Sequence, residues 1–398
     1  MKYVIVGNGV AGTTAAEKIR EHDPEGEITL ISDEELPFYS RIRLIDYLAG
    51  TAQAEDLIIK KEDWYSERRI ELILNDGAVK IDKANKNIST ESGKKILYDK
   101  LLLATGSNSF VPPIPGADKD GVFTLRRLRD AKAIKNYLTN GSKNVVLIGG
   151  GLIGLEAGNA LRLKGNNITV IEALPRLLPR QMDPEGSRVL QRQLENLGFK
   201  FHIGRMTKEI MGNDQVSGVL LDDGTNIECD MILISVGVRP ELTLVNQLEL
   251  EVDKGVVVDD SLGVKDPDIY CAGDLINHRG RLYGIWPASQ QQGEIAGVNM
   301  TSGGMSYQGT TPSNTLKVAG VDLVSMGEID AEDKFEAIID KDIENFRYKK
   351  LVIDNDRIIG AILYGDKKNW MKIQKAISDK KDISSIKEQL KNWELDEL

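Results

Sequence analysis

A chain of 398 residues is too long for one ordinary hydrophobic core and predicts two or three domains. A net charge of −10 argues against a nucleic-acid binder, and two cysteines are too few for a disulfide scaffold or an iron–sulfur ligand set. Hydrophobic residues at 41% and charged residues at 28% are ordinary globular proportions, with no apolar run long enough to span a membrane, so a cytoplasmic protein is expected.

The chain opens on Tyr3-Val-Ile-Val-Gly7-Asn-Gly9-Val-Ala-Gly12, a β-branched strand running into G-x-G-x-x-G and then an alanine-containing helical stretch. In such a turn Gly7 permits the sharp reversal, Gly9 lets backbone amides approach a pyrophosphate, and Gly12 lets helix and strand pack closely. The helix start then offers unpaired N–H groups and a positive dipole end to phosphate. A second strand, Ile28-Thr-Leu-Ile31, ends at Ser32, and either Asp33 or Glu34 is placed to bind a ribose diol. The strand Leu101–Leu103 runs into the turn Ala104-Thr105-Gly106, and Val111-Pro112-Pro113-Ile114-Pro115-Gly116 reads as a connector.

The same plan then repeats. Val145-Val-Leu-Ile-Gly149-Gly-Gly151-Leu-Ile-Gly154 is again strand, glycine turn and helix, followed by the strand Ile168-Thr-Val-Ile171. Glu172 stands directly after it, where a carboxylate suits a ribose diol and repels a 2′-phosphate; NADH is therefore expected over NADPH, with Arg176 and Arg180 as the nearby cations that would argue otherwise. Met231–Ser235 echoes the earlier strand and ends at Gly237. Glu156, early on the second helix, suits the dipole there.

Further on, Asp266-Pro-Asp-Ile-Tyr-Cys-Ala272-Gly273-Asp274 ends a strand on a glycine and a carboxylate able to accept hydrogen bonds from a polyol chain. Trp286-Pro287 opens a helix whose N-terminus favours an electron-rich ring. From about Gly309 the chain alternates as strands, including Asn345–Ile353 and Arg357–Tyr364 around Asp354-Asn355-Asp356, and finishes in a charged helical tail. Three scattered histidines, His22, His202 and His278, show no ligand spacing, and no metal is expected.

Taken in order, Gly7-x-Gly9-x-x-Gly12, Ala104-Thr105-Gly106, Gly149-x-Gly151-x-x-Gly154 and Ala272-Gly273-Asp274 resemble the pyridine nucleotide-disulfide oxidoreductase superfamily over nearly the whole chain. Three stretches resemble its NADH:rubredoxin oxidoreductase and nitrite-reductase-like branch: Leu36–Leu44, Leu177–Asp183 and Thr311–Gly320. The resemblance implies an α/β protein with two Rossmann-like domains of the three-layer ββα type and a small C-terminal α+β domain. It implies FAD in residues 1–112 and 238–308, NAD(H) in 113–237, and the small domain over 309–398.

Glutathione and lipoamide reductases of that superfamily carry C-x₄-C after the first ribose strand, and coenzyme A disulfide reductases carry one cysteine there. Here the segment reads Pro37-Phe-Tyr-Ser-Arg-Ile-Arg-Leu with no cysteine, and a serine hydroxyl at Ser40 ionises far too reluctantly to do a thiolate's work or accept electrons from a flavin. Cys229 and Cys271 read as small buried hydrophobes. Arg41 and Arg43 replace the thiol segment, with one expected to approach the flavin or to pair with Glu156, which in related enzymes lies near the nicotinamide. Together with Arg279 and Arg281 they form a candidate docking patch. The branch implies a small electron carrier such as rubredoxin as acceptor. NADH oxidase activity toward oxygen and a non-catalytic FAD/NADH-binding redox sensor are the alternatives; the reductase component of a nitrite-reducing assembly is expected to carry fused cluster domains, for which two cysteines are too few, and oligomeric state stays open.

Overall fold

The computed structural model describes residues 1–139, 143–311 and 313–398; Pro312 and the side chains of 313–316 and 318, within the Thr311–Gly320 stretch, lie outside the described residues. The chain forms two compact units: residues 1–43, 53–108 and 238–310 make the first, and 44–52, 109–237 and 311–398 the second.

The first unit begins with β1 (Lys2–Val6), α1 (Val10–His22), β2 (Glu27–Ile31), β3 (Ile70–Ile73) and β4 (Lys100–Leu103). In the second unit, β5 (Val122–Phe123) and α2 (Leu128–Tyr137) precede β6 (Asn144–Ile148), α3 (Leu152–Leu163), β7 (Asn167–Glu172), α4 (Pro184–Asn196), β8 (Lys200–Ile203) and β9 (Met231–Ile234). The chain then returns to the first unit with β10 (Ile269–Cys271) and α5 (Trp286–Thr301).

Each unit contains a five-stranded, all-parallel sheet, in the order β10-β4-β1-β2-β3 in the first and β8-β7-β6-β9-β5 in the second. The two orders match strand for strand, the repeat of the glycine motif carried up to topology. The difference is the edge strand beside β4 and β9: the returning segment supplies β10, whereas the incoming segment supplies β5. A three-stranded antiparallel meander interrupts each module, at 78–97 and at 207–228, as the ββα arrangement requires.

Strand centres are continuous apolar runs, as expected where both faces are covered. Ile5, Leu30, Leu101 and Leu102 in the first sheet, and Leu147, Val170 and Ile232 in the second, are fully buried. In the first unit α1 and α5 pack tightly enough that a Cβ on Gly293 would lie 2.3 Å from the Ala11 carbonyl oxygen.

The second unit closes with an antiparallel sheet of β11 (Ser313–Val318), β12 (Val321–Gly327), β13 (Glu336–Asp342), β14 (Arg347–Asp354) and β15 (Arg357–Tyr364), in the order β11-β12-β15-β14-β13. Asn355 and Asp356 both take positive φ, the geometry of a tight hairpin turn. Helix α6 (Trp370–Ser378) covers one face with Ile373 and Ala376. Among the described residues no helix is long and apolar enough to cross a membrane.

Candidate functional site

The two glycine turns have the same construction. Gly7 and Gly149 adopt φ of +113° and +109°, and a Cβ on either would lie 2.2 Å from the Ala104 carbonyl oxygen or 2.4 Å from that of Ser235. Gly12 and Gly154 admit no side chain either, since their Cβ atoms would fall 1.9 and 2.8 Å from the Gly7 and Gly149 carbonyl oxygens. Gly9 and Gly151 differ. A Cβ on Gly9 meets nothing within 4 Å, and one on Gly151 meets only the Ser235 carbonyl oxygen at 3.9 Å. Each middle glycine therefore borders open space at the start of a helix.

Those starts also lack a side-chain cap. α1, α3 and α5 have no side-chain cap and no acidic residue in the first turn, whereas Asp183 caps α4 through the Gly186 N–H at 2.9 Å, and Asp130 accepts the Arg127 N–H ahead of α2. In the first glycine turn, Asn8 Oδ1 accepts hydrogen bonds from Thr13 and the Tyr65 hydroxyl, and Asn8 Nδ2 is buried with no partner among the described residues. Open space at Gly9, an uncapped helix start and an orphaned donor together fit the pyrophosphate of a dinucleotide.

In the first unit, three sequence-predicted residues from separate segments come together. Arg41 pairs with Glu34 at 2.5 Å, the Tyr39 hydroxyl donates to the other Glu34 oxygen, and Asp274 is among the charges that hold the Arg41 guanidinium protonated. Burial alone would lower the Arg41 pKa; the surrounding carboxylates outweigh it and shift it upward. Ser107 donates to Asp274 at 3.0 Å, and Gln292 of α5 accepts the Gly273 N–H at 2.9 Å, so the Ala272-Gly273-Asp274 turn is gripped from two sides. Thr105 bonds the Glu241 carbonyl at 3.1 Å, and Gly106 takes φ of +73° with open space around its Cβ position. Phe38 leans on Trp286 at 5.6 Å between ring centroids, joining the Pro37–Leu44 segment to the start of α5, where Pro287 occupies the first turn. Asp33 is exposed; Glu34 is half-buried.

In the second unit, Glu172 is buried, and its two oxygens accept the Gly150 and Leu174 N–H groups at 2.7 Å each. It thus holds the glycine turn from the end of β7. Arg176 is spent on the Met182 and Pro179 carbonyls, both at 3.1 Å, while Arg180 is exposed. Gly237 is exposed and accepts the Phe110 N–H at 2.9 Å.

Arg41 takes Glu34 as its partner within the first unit, and in the second unit Glu156 accepts the Ala319 N–H at 2.8 Å from the C-terminal hairpin. Burial is the main cause that raises the Glu156 pKa. The four-arginine patch carries less net charge than its residues imply, since Asp260 takes Arg279 in a two-point pair and Glu34 takes Arg41; Arg43 is exposed and donates to the Asp56 carbonyl. Both cysteines are free and buried. Burial pushes the Cys229 thiol up to about 12 and Cys271 higher still.

Tyr39, Asn8, Ser107 and Gln292 escaped the sequence reading, as did Lys350, a lysine on the inward face of a strand. Only Lys350 left a signal, a break in strand alternation.

Residues 1–293 match the family described as pyridine nucleotide-disulphide oxidoreductase, and residues 312–381 match the rubredoxin NAD+ reductase C-terminal domain. The chain is 37% identical over 389 residues to the nitrite reductase [NAD(P)H] of Bacillus subtilis, covering 96% of this chain and 48% of that protein. It spans about half the length of several curated nitrite- and nitrate-reductase relatives. It is 32% identical to the NADH-rubredoxin oxidoreductase of Clostridium acetobutylicum, over 97% of this chain and 96% of that one. The crystal structure of NADH:rubredoxin oxidoreductase from that organism superposes with a TM-score of 0.81 and 31% identity, covering 98% and 99% of the two chains. The chain belongs to the pyridine nucleotide-disulphide oxidoreductase family, NAD(P)H-dependent flavoprotein oxidoreductases that bind FAD and NAD(H).

Proposed function

We propose that this chain takes hydride from NADH with FAD as its prosthetic group and delivers the electrons to a small one-electron carrier protein, a rubredoxin or one of similar size. The observation that carries the proposal lies in Pro37–Leu44. Where a thiol relay requires cysteine, this segment presents Ser40 and the Arg41–Glu34 pair, and both cysteines of the chain are buried with raised pKa. Transfer through the chain's own thiols is therefore closed. The match along nearly the full length of an NADH-rubredoxin oxidoreductase supports the same acceptor class.

In this reading residues 1–112 and 238–308 hold FAD, 113–237 hold NAD(H), and 309–398 form the third domain. Gly7, Gly9, Gly12 and the α1 amides would bind the FAD pyrophosphate, with Asn8 Nδ2 as an added donor. Glu34, oriented by Tyr39 and Arg41, is better placed than exposed Asp33 to take a ribose. Asp274 and Gly273 would bind the ribityl chain, Ala104, Thr105 and Gly106 would border the cofactor, and Trp286 and Pro287 would set the α5 N-terminus toward it. When bound, FAD supplies the conversion between a two-electron donor and a one-electron acceptor. Arg41, and less directly Arg43, would fix positive charge beside it. Gly149, Gly151, Gly154 and Gly237 would receive NAD(H), with Glu172 on the ribose and Glu156 on the nicotinamide side. Glu172 disfavours a 2′-phosphate, and Arg176 is already committed to carbonyls, so NADH is the preferred donor.

The test is anaerobic stopped-flow reduction of the holoprotein by NADH, followed by mixing with oxidised rubredoxin, ferredoxin or air-saturated buffer. Rapid bleaching and reoxidation by rubredoxin much faster than by oxygen support the proposal. Reoxidation by oxygen alone would make the chain an NADH oxidase, and no bleaching would leave a sensor. A second reading, the electron-input part of a nitrite-reducing protein, is favoured by the 37% identity to a relative of about twice the length.

A further inference from the structure

The C-terminal sheet meets the second glycine module at a buried polar cluster. Tyr348 and Lys350 alternate along β14, so both point to one face, and both are fully buried. The Tyr348 hydroxyl donates to Asp183 Oδ2 at 2.5 Å, and Lys350 Nζ donates to the same oxygen at 3.1 Å and to the Asp330 carbonyl at 2.9 Å. The Asp330 and Asp333 carboxylates lie 3.9 and 3.5 Å from the ammonium. Asp183 Oδ1 caps α4, and a Cβ on Gly186 would lie 2.8 Å from the Tyr348 ring. A buried cation surrounded in this way holds one geometry, because any displacement leaves an unpaired charge away from water.

Asp183 also ends the loop that closes the dinucleotide turn. Leu177, Leu178 and Met182 are fully buried, Arg176 ties the loop to itself through the Met182 and Pro179 carbonyls, and the Leu178 N–H reaches the Gly150 carbonyl at 3.2 Å. The Leu177 side chain covers Gly150, whose N–H is held by Glu172. An independent contact comes from the same domain one helical turn on, where the Ala319 N–H reaches Glu156. The C-terminal domain thus touches both the loop over the glycine turn and the helix that follows it.

We infer that Tyr348 and Lys350 are positioning residues for the second dinucleotide site, acting through Asp183 and the Arg176–Met182 loop on Gly150 and Glu172. The inference rests on the assignment of NADH to that module. The C-terminal domain then sets NADH affinity without touching the nucleotide. An exposed pair on the same helix, Lys341 with Glu185, joins β13 to α4 without engaging Asp183 and serves as an internal control.

The experiment is anaerobic flavin reduction of the holoprotein over a range of NADH concentrations, which separates the NADH Kd from the limiting reduction rate, with thermal melting recorded alongside. Tyr348→Phe, which keeps the ring and removes one hydrogen bond, and Lys350→Met are compared with Lys341→Ala. The expected result is a roughly three- to tenfold rise in NADH Kd for the first two, with the limiting rate within about twofold of wild type and Lys341→Ala unchanged. If Lys350→Met fails to fold, Tyr348→Phe alone decides. A Tyr348→Phe protein that melts lower yet binds NADH as wild type does would reduce the cluster to structural glue and overturn the inference. So would an equal rise for Lys341→Ala. A wild-type flavin that NADH leaves oxidised would instead remove the assignment of NADH to this module, and the inference with it.

Discussion

Under the proposed assignment of NADH to the second module, Glu172 has two tasks that pull in different directions. A carboxylate that discriminates a ribose diol from a 2′-phosphate needs free lone pairs, yet both oxygens already accept backbone N–H groups of Gly150 and Leu174. Each oxygen keeps one further lone pair, so the side chain can hold the turn and still receive a hydroxyl. Glu172→Gln removes the charge and sets an NH₂ group against one of those amides. It should lower kcat/KM for NADH and narrow the NADH-to-NADPH ratio by about tenfold, the loss of one charge-assisted hydrogen bond. Steady-state kinetics with both donors check this; an unchanged ratio would place discrimination elsewhere.

Glu156 is governed by burial, which raises its pKa more than the Ala319 N–H and Lys317 lower it, with Asp46 adding to the rise. A raised carboxylate pKa means the neutral form is favoured by the fold. Its contribution to stability is fully present below the unfolded value of 4.5 and is lost as pH rises through the folded pKa. Glu156→Gln keeps an acceptor for Ala319 and never ionises. The variant should melt above wild type at neutral pH and converge with it below pH 4.5, a comparison made by thermal scans across that range. A wild type that melts higher at neutral pH would mean that the charged form is the favoured one.

At the scale of elements, the glycines of the first turn separate packing from binding. Gly12 is pressed against the Gly7 carbonyl, so Gly12→Ala must push α1 off β1, at a cost of about 3 kcal/mol or more. Gly9 has a φ of −92° that alanine tolerates, and nothing stands within 4 Å of its Cβ position. Gly9→Ala should therefore leave the melting of the apoprotein nearly unchanged while FAD content falls about tenfold or more, the added methyl standing where the second glycine of the motif must admit a pyrophosphate. Gly9→Ala protein purified with full flavin would show that this turn does not seat it.

The same contrast explains what was legible in the sequence. Both glycine turns were, because a sharp strand-to-helix reversal at positive φ and a close helix contact each demand a residue without Cβ, and those demands are local. The hairpin at Asn355-Asp356 was legible for the same reason. The Glu34–Arg41 pair, seven residues apart across an irregular segment, has no period to reveal it. Lys350 and Asp183 lie 167 residues apart, and the lysine breaks the alternation of β14 without naming its partner. Strand β5, only two residues long, carries too little pattern to be read at all.

At the scale of the whole chain, two modules share one sheet order while each pairs with a different second region. The first collects β10 and α5 from the return of the chain; the second shares a unit with the C-terminal sheet. If FAD and NAD(H) are divided between the modules, each ligand should stabilise its own one, because a ligand protects the states it binds. Hydrogen exchange read by mass spectrometry tests this segment by segment. Reconstitution of the apoprotein with FAD should slow exchange at 7–13, 32–41 and 273–292, whose backbone comes from both ends of the first unit. NAD⁺ added to the holoprotein should slow exchange at 149–156 and 172–183, and, through Asp183, along β14. At 100 times its Kd a ligand adds about 2.7 kcal/mol, roughly a hundredfold in protection for amides that exchange by opening of the site. Protection by FAD at 149–156 would exchange the two assignments. Protection by NAD⁺ that stops short of β14 would leave the C-terminal sheet thermodynamically separate from the nucleotide it is placed to support.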